Sequence, residues 1–447
     1  MAKSDRETAY ININWFCPLS PAKTDIAHYS SRILKQLCEY AKIRLWTDQN
    51  KWDSAIERIG TVCYKNQLKW AGLNNDGVAV YHIGNNPDYH TWIWRISTIH
   101  PGIVVLHDYH LHHLFGGIFK SEGNSREYYK IMQYYYGLQG INAAQDFWKD
   151  KVTTEYMSEH FPLAEYALKN ALGVVVHNNY SFKKIAPKNR WPVALLPLPY
   201  QPCIELETVT QLLHNRLQTA HDECRLITFG YLGPNRRIAS ILEALAQLRS
   251  RFRFLLDIYG QVWDAELLEK KIAELNLQQQ VTIHGYVEEK RLSEALNRAH
   301  LAFNLRYPTM GEASGTQLRI WDHALPSLVT RIGWYAELPS DVVCFVRPEN
   351  EINDIISALK RFIEDPHCFM AMGQHGKKYL EKWHDPKDYA RSLAAFVKEV
   401  YARRNMTTAF DLAVRAAAEI SIWTDNVDDA QFIRCSSAIY DLFKIAT

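Results

Sequence analysis

The chain has no apolar run approaching the roughly 18 residues that cross a bilayer. Its first residues, Met1 to Glu7, are polar and charged, unlike a secretory leader. Both absences point to a cytoplasmic protein. The eight cysteines are scattered without any C-x-x-C pair, so neither a zinc site nor a disulfide framework is implied, and buried thiols are expected. No sign of charge dominates either. A net charge of +2 offers little to hold a polyanion, so no nucleic-acid partner is expected.

What the chain does have is length and aromatic content. Its 447 residues, 47% hydrophobic, suffice for two or three domains. Thirteen Trp and 25 Tyr would suit the apolar faces of sugars, yet large cores and interfaces use the same residues, so the count decides nothing.

Tyr10 to Trp15 alternates apolar and polar residues and reaches Cys17-Pro18, which reads as a strand ending in a loop. A helix is expected from about Ile26 to Ala41, with Ile26, Ile33, Leu34 and Leu37 on one face. Short apolar runs follow at Ile43–Thr47, Val78–Ile83, Ile103–His107 and Gly173–His177. Strands alternating with helices imply a parallel sheet whose ligands sit beyond the carboxyl ends of the strands. His107, His110, His112 and His113 crowd one segment, but no carboxylate or thiol completes a recognisable ligand set, so no metal site is assigned. From Phe115 to Pro162, Tyr128, Tyr129, Tyr134, Tyr135, Tyr136, Phe147 and Trp148 recur at a helical spacing that makes most of them core contacts.

Trp191 to Pro202 holds four prolines and is the best linker candidate. The alternation then restarts, with strands expected at Arg225–Phe229, Phe254–Tyr259, Val281–His284, Leu301–Leu305 and Ser327–Thr330. The loop from Gly230 to Ile238 carries Arg236 and Arg237 before a helix that runs through about Arg249. Two cations there suit a diphosphate whose charge grows as its bond to a sugar breaks, or they are a solvated basic helix start. In the stretch Phe303 to Pro339, Pro308 and Gly311 break the strand, and Glu312, Ser314 and Gly315 hand over to a helix from about Thr316 to Ala324. A helix start offers free N–H groups and a positive dipole end to a phosphate. Glu312 beside it would accept from hydroxyl groups, and a sugar nucleotide carries both features; a capped helix with a surface Glu is the alternative. After Lys382-Trp383-His384, helical stretches are expected at about Pro386–Asn405 and Thr407–Trp423, then a polar break at Thr424–Asp429 and a last helix to Phe443. The Ala413–Ala418 run would pack closely there or form a dimer face.

The runs Leu305-Arg306-Tyr307-Pro308-Thr309, Gly311-Glu312-Ala313-Ser314-Gly315, Ala324-Leu325-Pro326 and Gly333-Trp334-Tyr335-Ala336-Glu337-Leu338-Pro339 together resemble the donor-site signature of retaining glycosyltransferase family 4. More narrowly, they resemble a bacterial branch that builds surface polysaccharides. The resemblance covers about residues 10 to 400. It implies an α/β protein of the GT-B fold, two Rossmann-like doubly wound domains facing across a cleft, with extra C-terminal helices. The domains would be 1–196 (acceptor), a hinge at 197–205, 206–385 (nucleotide sugar), and helices 386–447 crossing back to the first domain. It also implies a nucleotide-diphosphate sugar as donor substrate, with no obligatory cofactor and no metal.

Carried over residue by residue, the resemblance gives His107 to the donor sugar, Glu312 to sugar hydroxyls and Arg236 to the diphosphate as the catalytic set. Ser314, Gly315, Thr316, Gln317, Gly230, Arg237, Tyr286 and Glu337 would line the donor site. Asp25 and Asp108 would lie on the acceptor side. Three departures stand out. Asp25 replaces the usual loop Gly and is equally a helix N-cap. Tyr231 stands where a first cation is usual, leaving Arg237 or Arg306 to supply it. The second Glu is absent, with Arg319 or Ile320 in its place, which leaves Asp322 or the main chain for the ribose.

The expected activity is transfer of a hexose to a hydroxyl of a saccharide or lipid-linked saccharide acceptor, with retention, in polysaccharide or glycoconjugate biosynthesis. A lipid-linked acceptor would add peripheral contact at the inner face of the membrane. A non-catalytic GT-B partner subunit or saccharide-binding protein is the alternative, motivated by the three departures. Phosphorolysis or synthesis of a free sugar phosphate would use the same residues.

Overall fold

The computed structural model describes residues 11–69, 73, 77–220 and 223–423, together with Arg434 and Ser437. The chain divides into two compact units, 1–197 with 386–447 and 198–385.

In the first unit β1 (Ile11–Phe16), β2 (Ala41–Thr47), β3 (Thr61–Tyr64), β4 (Val78–Ile83), β5 (Gly102–Leu106), β6 (Ala171–Val176) and β7 (Val193–Leu195) form one sheet in the order β3-β2-β1-β4-β5-β6-β7, every pair parallel. The register sets Trp15 opposite Val80 and Ile83 opposite Leu106. Every residue of β4, β5 and β6 is buried, as strands covered by helices on both faces require. The helices are α1 (Asp25–Leu37), α2 (Pro87–Ile99), α3 (His112–Ser121), α4 (Ser125–Trp148) and α5 (Thr154–His160), with shorter turns between. Strand order reverses between β1 and β4, so their carboxyl ends splay and leave a crevice.

In the second unit β8 (Cys224–Phe229), β9 (Phe254–Tyr259), β10 (Val281–Gly285), β11 (Leu301–Asn304), β12 (Ser327–Thr330) and β13 (Cys344–Val346) run parallel in the order β10-β9-β8-β11-β12-β13. Here the order reverses between β8 and β11. The helices that matter for the site are α6 (Leu206–Thr219), α7 (Ile238–Leu248), α8 (Glu289–Arg298), α9 (Gly315–Asp322) and α10 (Pro366–Trp383). From α6 the buried Arg216 guanidinium donates to the carbonyls of Leu296, His323 and Ala324 at 2.9–3.0 Å, closing the carboxyl ends of α8 and α9. Burial without a carboxylate pushes its pKa down to about 9.

The chain then returns to the first unit as α11 (Pro386–Trp423), which lies along α1 and β6. Gly173 in β6 permits this approach: a Cβ there would stand 2.7 Å from Val400 Cγ2 and 3.2 Å from Phe396 Cζ. One continuous helix replaces the two stretches expected here. Met406 and Thr407 contain no helix breaker, and Thr407 Oγ1 folds back to the Arg403 carbonyl at 3.3 Å. The expected break at Thr424–Asp429 and the last helix to Phe443 lie outside the described residues, apart from Arg434 and Ser437.

Other expectations also shift. The N-cap of α1 is Thr24, whose hydroxyl accepts from the Ile26 amide; Asp25 is the first helical residue, where its charge faces the positive end of the helix. Strands β3, β7 and β13 were not expected, and β7 falls inside the proline-rich stretch. Among the described cysteines Cys17, Cys224 and Cys344 are buried, while Cys203 and Cys368 are exposed, so burial is not general. No helix among the described residues is long and apolar enough to cross a membrane.

Candidate active site

In the second unit the loops after β8 and β11 meet at the reversal of strand order. Gly230 ends β8 with φ +114°. Its neighbour Gly260 ends β9 so close by that a Cβ would lie 1.9 Å from the Gly230 carbonyl oxygen, so only glycine fits there. A Cβ on Gly230 would instead find Thr316 Oγ1 at 3.7 Å and Arg236 Nη2 at 4.0 Å, which puts the β8 loop beside the start of α9.

The start of α9 is held from below. Ser314 is its N-cap, with Oγ accepting from the Gln317 amide at 3.1 Å. Helix geometry leaves the Gly315 and Thr316 amides without intrahelical partners. Beneath them runs a buried polar network. Asn304, the last residue of β11, donates to Ser314 Oγ (3.3 Å) and Gln317 Oε1 (3.0 Å), and Gln317 Nε2 donates to Ser327 Oγ at 2.8 Å. Arg236 Nη1 donates to Asn304 Oδ1 (3.0 Å) and Nη2 to the Phe229 carbonyl (2.8 Å). Sequence reasoning passed over Asn304, which carries no motif beyond its place at a strand end.

Arg236 is therefore 1% exposed, with both terminal nitrogens engaged by protein, where a surface grip on a diphosphate was expected. Arg237 is turned away as well, its Nε donating to both oxygens of the nearly buried Glu351 at 2.9 and 3.2 Å. Glu312 is held on three sides: Oε2 accepts from the Met310 amide (2.9 Å) and the Thr309 hydroxyl (3.3 Å), and Arg306 Nη1 stands 3.2 Å from Oε1. Tyr286 follows β10, an edge strand two places from β8, and is 66% exposed. Glu337 is exposed in the turn Gly333–Glu337 after β12.

The ribose candidate Asp322 and Arg319, which stands in the place of the missing Glu, are both engaged elsewhere. Asp322, 1% exposed, accepts from the Cys203 and Ile204 amides, the Tyr200 hydroxyl and Lys377 Nζ at 2.8 Å, pinning residues 200–204 to α9 and α10. Arg319 stands 3.0 Å from Glu289 of α8.

In the first unit three strand ends each deliver a histidine: His82 in β4, His107 after β5 and His177 after β6. Their rings pack with Trp15, Tyr29 and Tyr389, and the Tyr29 and Tyr389 hydroxyls bond to each other at 2.5 Å. His107 Nε2 lies 3.0 Å from His82 Nδ1. Burial first, and the neighbouring histidines second, hold both imidazoles well below the usual histidine range. Asp108 Oδ2 accepts from the Asn85 amide at 2.9 Å, and Asp25 stays exposed on α1. The other crowded histidines are bonded apart: His110 to Ser158 and Tyr180, His112 to Phe161 and Tyr128, and His113 near Glu155 and Ser158. Among the described residues no group of three or more His, Cys, Asp or Glu could hold a metal.

Residues 209–379, from α6 to α10, match the family model described as Glycosyl transferases group 1, and this stretch is a glycosyltransferase group 1 domain. The fold is similar to that of Anabaena HepE solved in complex with UDP (13% identity, TM-score 0.58, 87% of this chain and 100% of that one). It is also similar to sucrose-phosphate synthase from Thermosynechococcus elongatus (14%, 0.58, 88% and 99%) and to WaaG, a glycosyltransferase involved in lipopolysaccharide biosynthesis (13%, 0.53, 87% and 99%). At such identities the likeness establishes the fold alone, and that fold is GT-B. No curated protein matches the sequence.

Proposed function

We propose that the protein is a retaining glycosyltransferase of family 4, in the branch that builds surface polysaccharides. It moves a hexose from a nucleotide-diphosphate sugar to a hydroxyl of a saccharide or lipid-linked saccharide. The observation that carries this is the juxtaposition, at the β8/β11 reversal, of a carboxylate, Glu312, with the helix start at Gly315 and Thr316, a pair suited to sugar hydroxyls and a phosphate. HepE has been solved with UDP and with UDP-glucose, which favours a uridine nucleotide here.

In this reading the α9 amides, Ser314 and Gly230 bind the phosphates, with Thr316 beside them and Gln317 holding the helix start. Arg236 acts from beneath the Gly230 loop, lending positive charge through a buried network instead of a direct fork. Glu312 orients the sugar, His107 adds a hydrogen bond to a sugar oxygen, and Asp108 faces acceptor hydroxyls. The acceptor oxygen attacks the anomeric carbon on the face from which the diphosphate leaves, and the departing phosphate oxygen takes the acceptor proton. No protein nucleophile is needed; the protein orients the reactants and stabilises leaving-group charge. For a lipid-linked acceptor, Tyr134 and Leu138, exposed on either side of the Gly137 kink in α4, would touch the inner membrane face. Flotation with anionic vesicles tests that contact.

A second reading, a non-catalytic partner subunit, draws on Arg236, Arg237 and Arg306 each already facing a protein acceptor. Differential scanning fluorimetry against UDP, GDP, ADP and their sugar conjugates separates the two. A nucleotide at 100 times its dissociation constant adds about 2.7 kcal/mol of stability. A shift with one nucleotide that Glu312→Ala weakens for the sugar conjugate supports transfer. No shift with any of them favours the partner subunit.

A further inference from the structure

His82 is buried completely, and its Nε2 has no hydrogen-bond partner. Trp15 and Tyr29 pack against the ring at centroid distances of 4.2 and 5.2 Å. Both are tilted, at 43° and 52°, so neither turns a face squarely toward an N–H lying in the imidazole plane. The His82–His107 contact has two neutral arrangements. In one, His107 donates through Nε2–H, and His82 must carry its own proton on Nε2 as a buried orphan donor. In the other, His82 donates through Nδ1–H and leaves only a lone pair unpaired, while the remaining N–H passes to Nδ1 of His107, a ring that is 8% exposed where His82 is fully buried. Orphaned buried N–H groups are the rarer and costlier defect. Protonating either ring is opposed by its burial.

We propose that His82 is a positioning residue that locks His107 in its Nδ1–H tautomer, so that His107 meets its ligand as a hydrogen-bond donor to oxygen and not as a proton acceptor. The proposal rests on the reading of His107 as a group that binds a sugar oxygen. His107 is 8% exposed, and no group among the described residues bonds its Nδ1, so that atom is the one left to a ligand. A ring nitrogen that already holds its proton has no lone pair to offer. The acceptor proton must then leave with the diphosphate: the new bond forms from acceptor oxygen to anomeric carbon, and the anomeric carbon–phosphate oxygen bond breaks. Its electron pair goes to the phosphate oxygen, which takes the proton.

The test is nitrogen-15-resolved NMR of the histidine rings in the intact protein at neutral pH, with a His107→Gln spectrum to assign the signal. A proton on His107 Nδ1 is expected; a proton on Nε2, or on both nitrogens, overturns the proposal. His82→Asn, whose side-chain amide can stand where Nδ1 stood, keeps the signature. His82→Leu mixes the two tautomers and lowers kcat/KM about tenfold, the worth of one hydrogen bond; an unmixed Nδ1–H signal in His82→Leu overturns the positioning role. The same samples titrated with UDP, GDP and ADP separate the two ideas, since failure to bind any of them sinks the transferase reading while the tautomer is still measured.

Discussion

The carboxyl ends of the two sheets are built from opposite materials. In the second unit the reversal between β8 and β11 is lined by charge and by amides: Arg236, Arg306, Glu312 and the start of α9, tied together through Asn304. In the first unit the ends of β4, β5 and β6 carry three histidines packed among Trp15, Tyr29 and Tyr389, of which burial keeps His82 and His107 neutral. The same topology thus supports two kinds of recognition. Fixed charges and helix amides suit an anion whose charge grows during a reaction, whereas neutral imidazoles in a desolvated wall suit hydroxyl groups. The charged end also needs a scaffold that keeps each cation paired when no ligand is bound, which is the service of Asn304, Glu351 and Glu312.

Changes in the second unit should cost most. Asp322→Ala takes from Lys377 its nearest carboxylate, leaving it the Ile204 carbonyl and Glu381 at 3.5 Å, in a site where the Asp322 and Lys377 side chains are 1% exposed; a loss of about 3–5 kcal/mol in the second unit is expected, measured by denaturant unfolding. Glu312→Ala should leave the fold intact and lower kcat by about 10²–10³-fold, the range for removing one group aimed at a transition state, measured by transfer assay once a donor is in hand.

The first unit should respond to acid instead, through a histidine outside the strand-end cluster. Burial holds His112, bonded to the Phe161 carbonyl and the Tyr128 hydroxyl, down at about 4, against about 6.5 in the unfolded chain. Between these values the unfolded state binds the extra proton. Stability is therefore fully present above pH 6.5 and is lost as pH falls toward 4, by up to about 3 kcal/mol for this residue alone. Thermal melts at pH 7, 5.5 and 4.5 should show the decline, and His112→Gln should make it shallower by the share of one histidine, since His90, His300, His323 and His384 are held down in the same way. The smallest effect is expected from Tyr389→Phe, which removes the hydroxyl pair with Tyr29 at about 1 kcal/mol and leaves nucleotide binding untouched; a change in UDP affinity would contradict the separation of roles drawn above.

Much of the architecture was legible in the sequence because long apolar strands and glycine or proline punctuation are local signals. Val78–Ile83, Phe254–Tyr259 and Ser327–Thr330 came out with their observed ends. The strands that went unseen, β3, β7 and β13, are as short as β12 but are not wholly buried as it is, and β7 hides among prolines. The separation expected near Met406 is bridged by one helix, since no Pro or Gly stands there to break it. Around the site, the loops themselves were marked by Gly230, Pro308 and Gly311. The direction taken by each charged side chain was not marked.

By itself the sequence determined the alternation of strand and helix, the position of the two glycine-bearing loops, and the chemical inventory near Glu312, because these depend on neighbours along the chain. Tertiary structure alone decided that Arg236 turns inward to Asn304, 68 residues away, that Asp322 anchors residues 200–204 instead of facing a ribose, and that His82 stands behind His107. The physical reason is common to all three. A polar side chain in a desolvated place takes whatever partner removes the cost of its burial, and that partner is supplied by the packing of strands and helices distant in sequence.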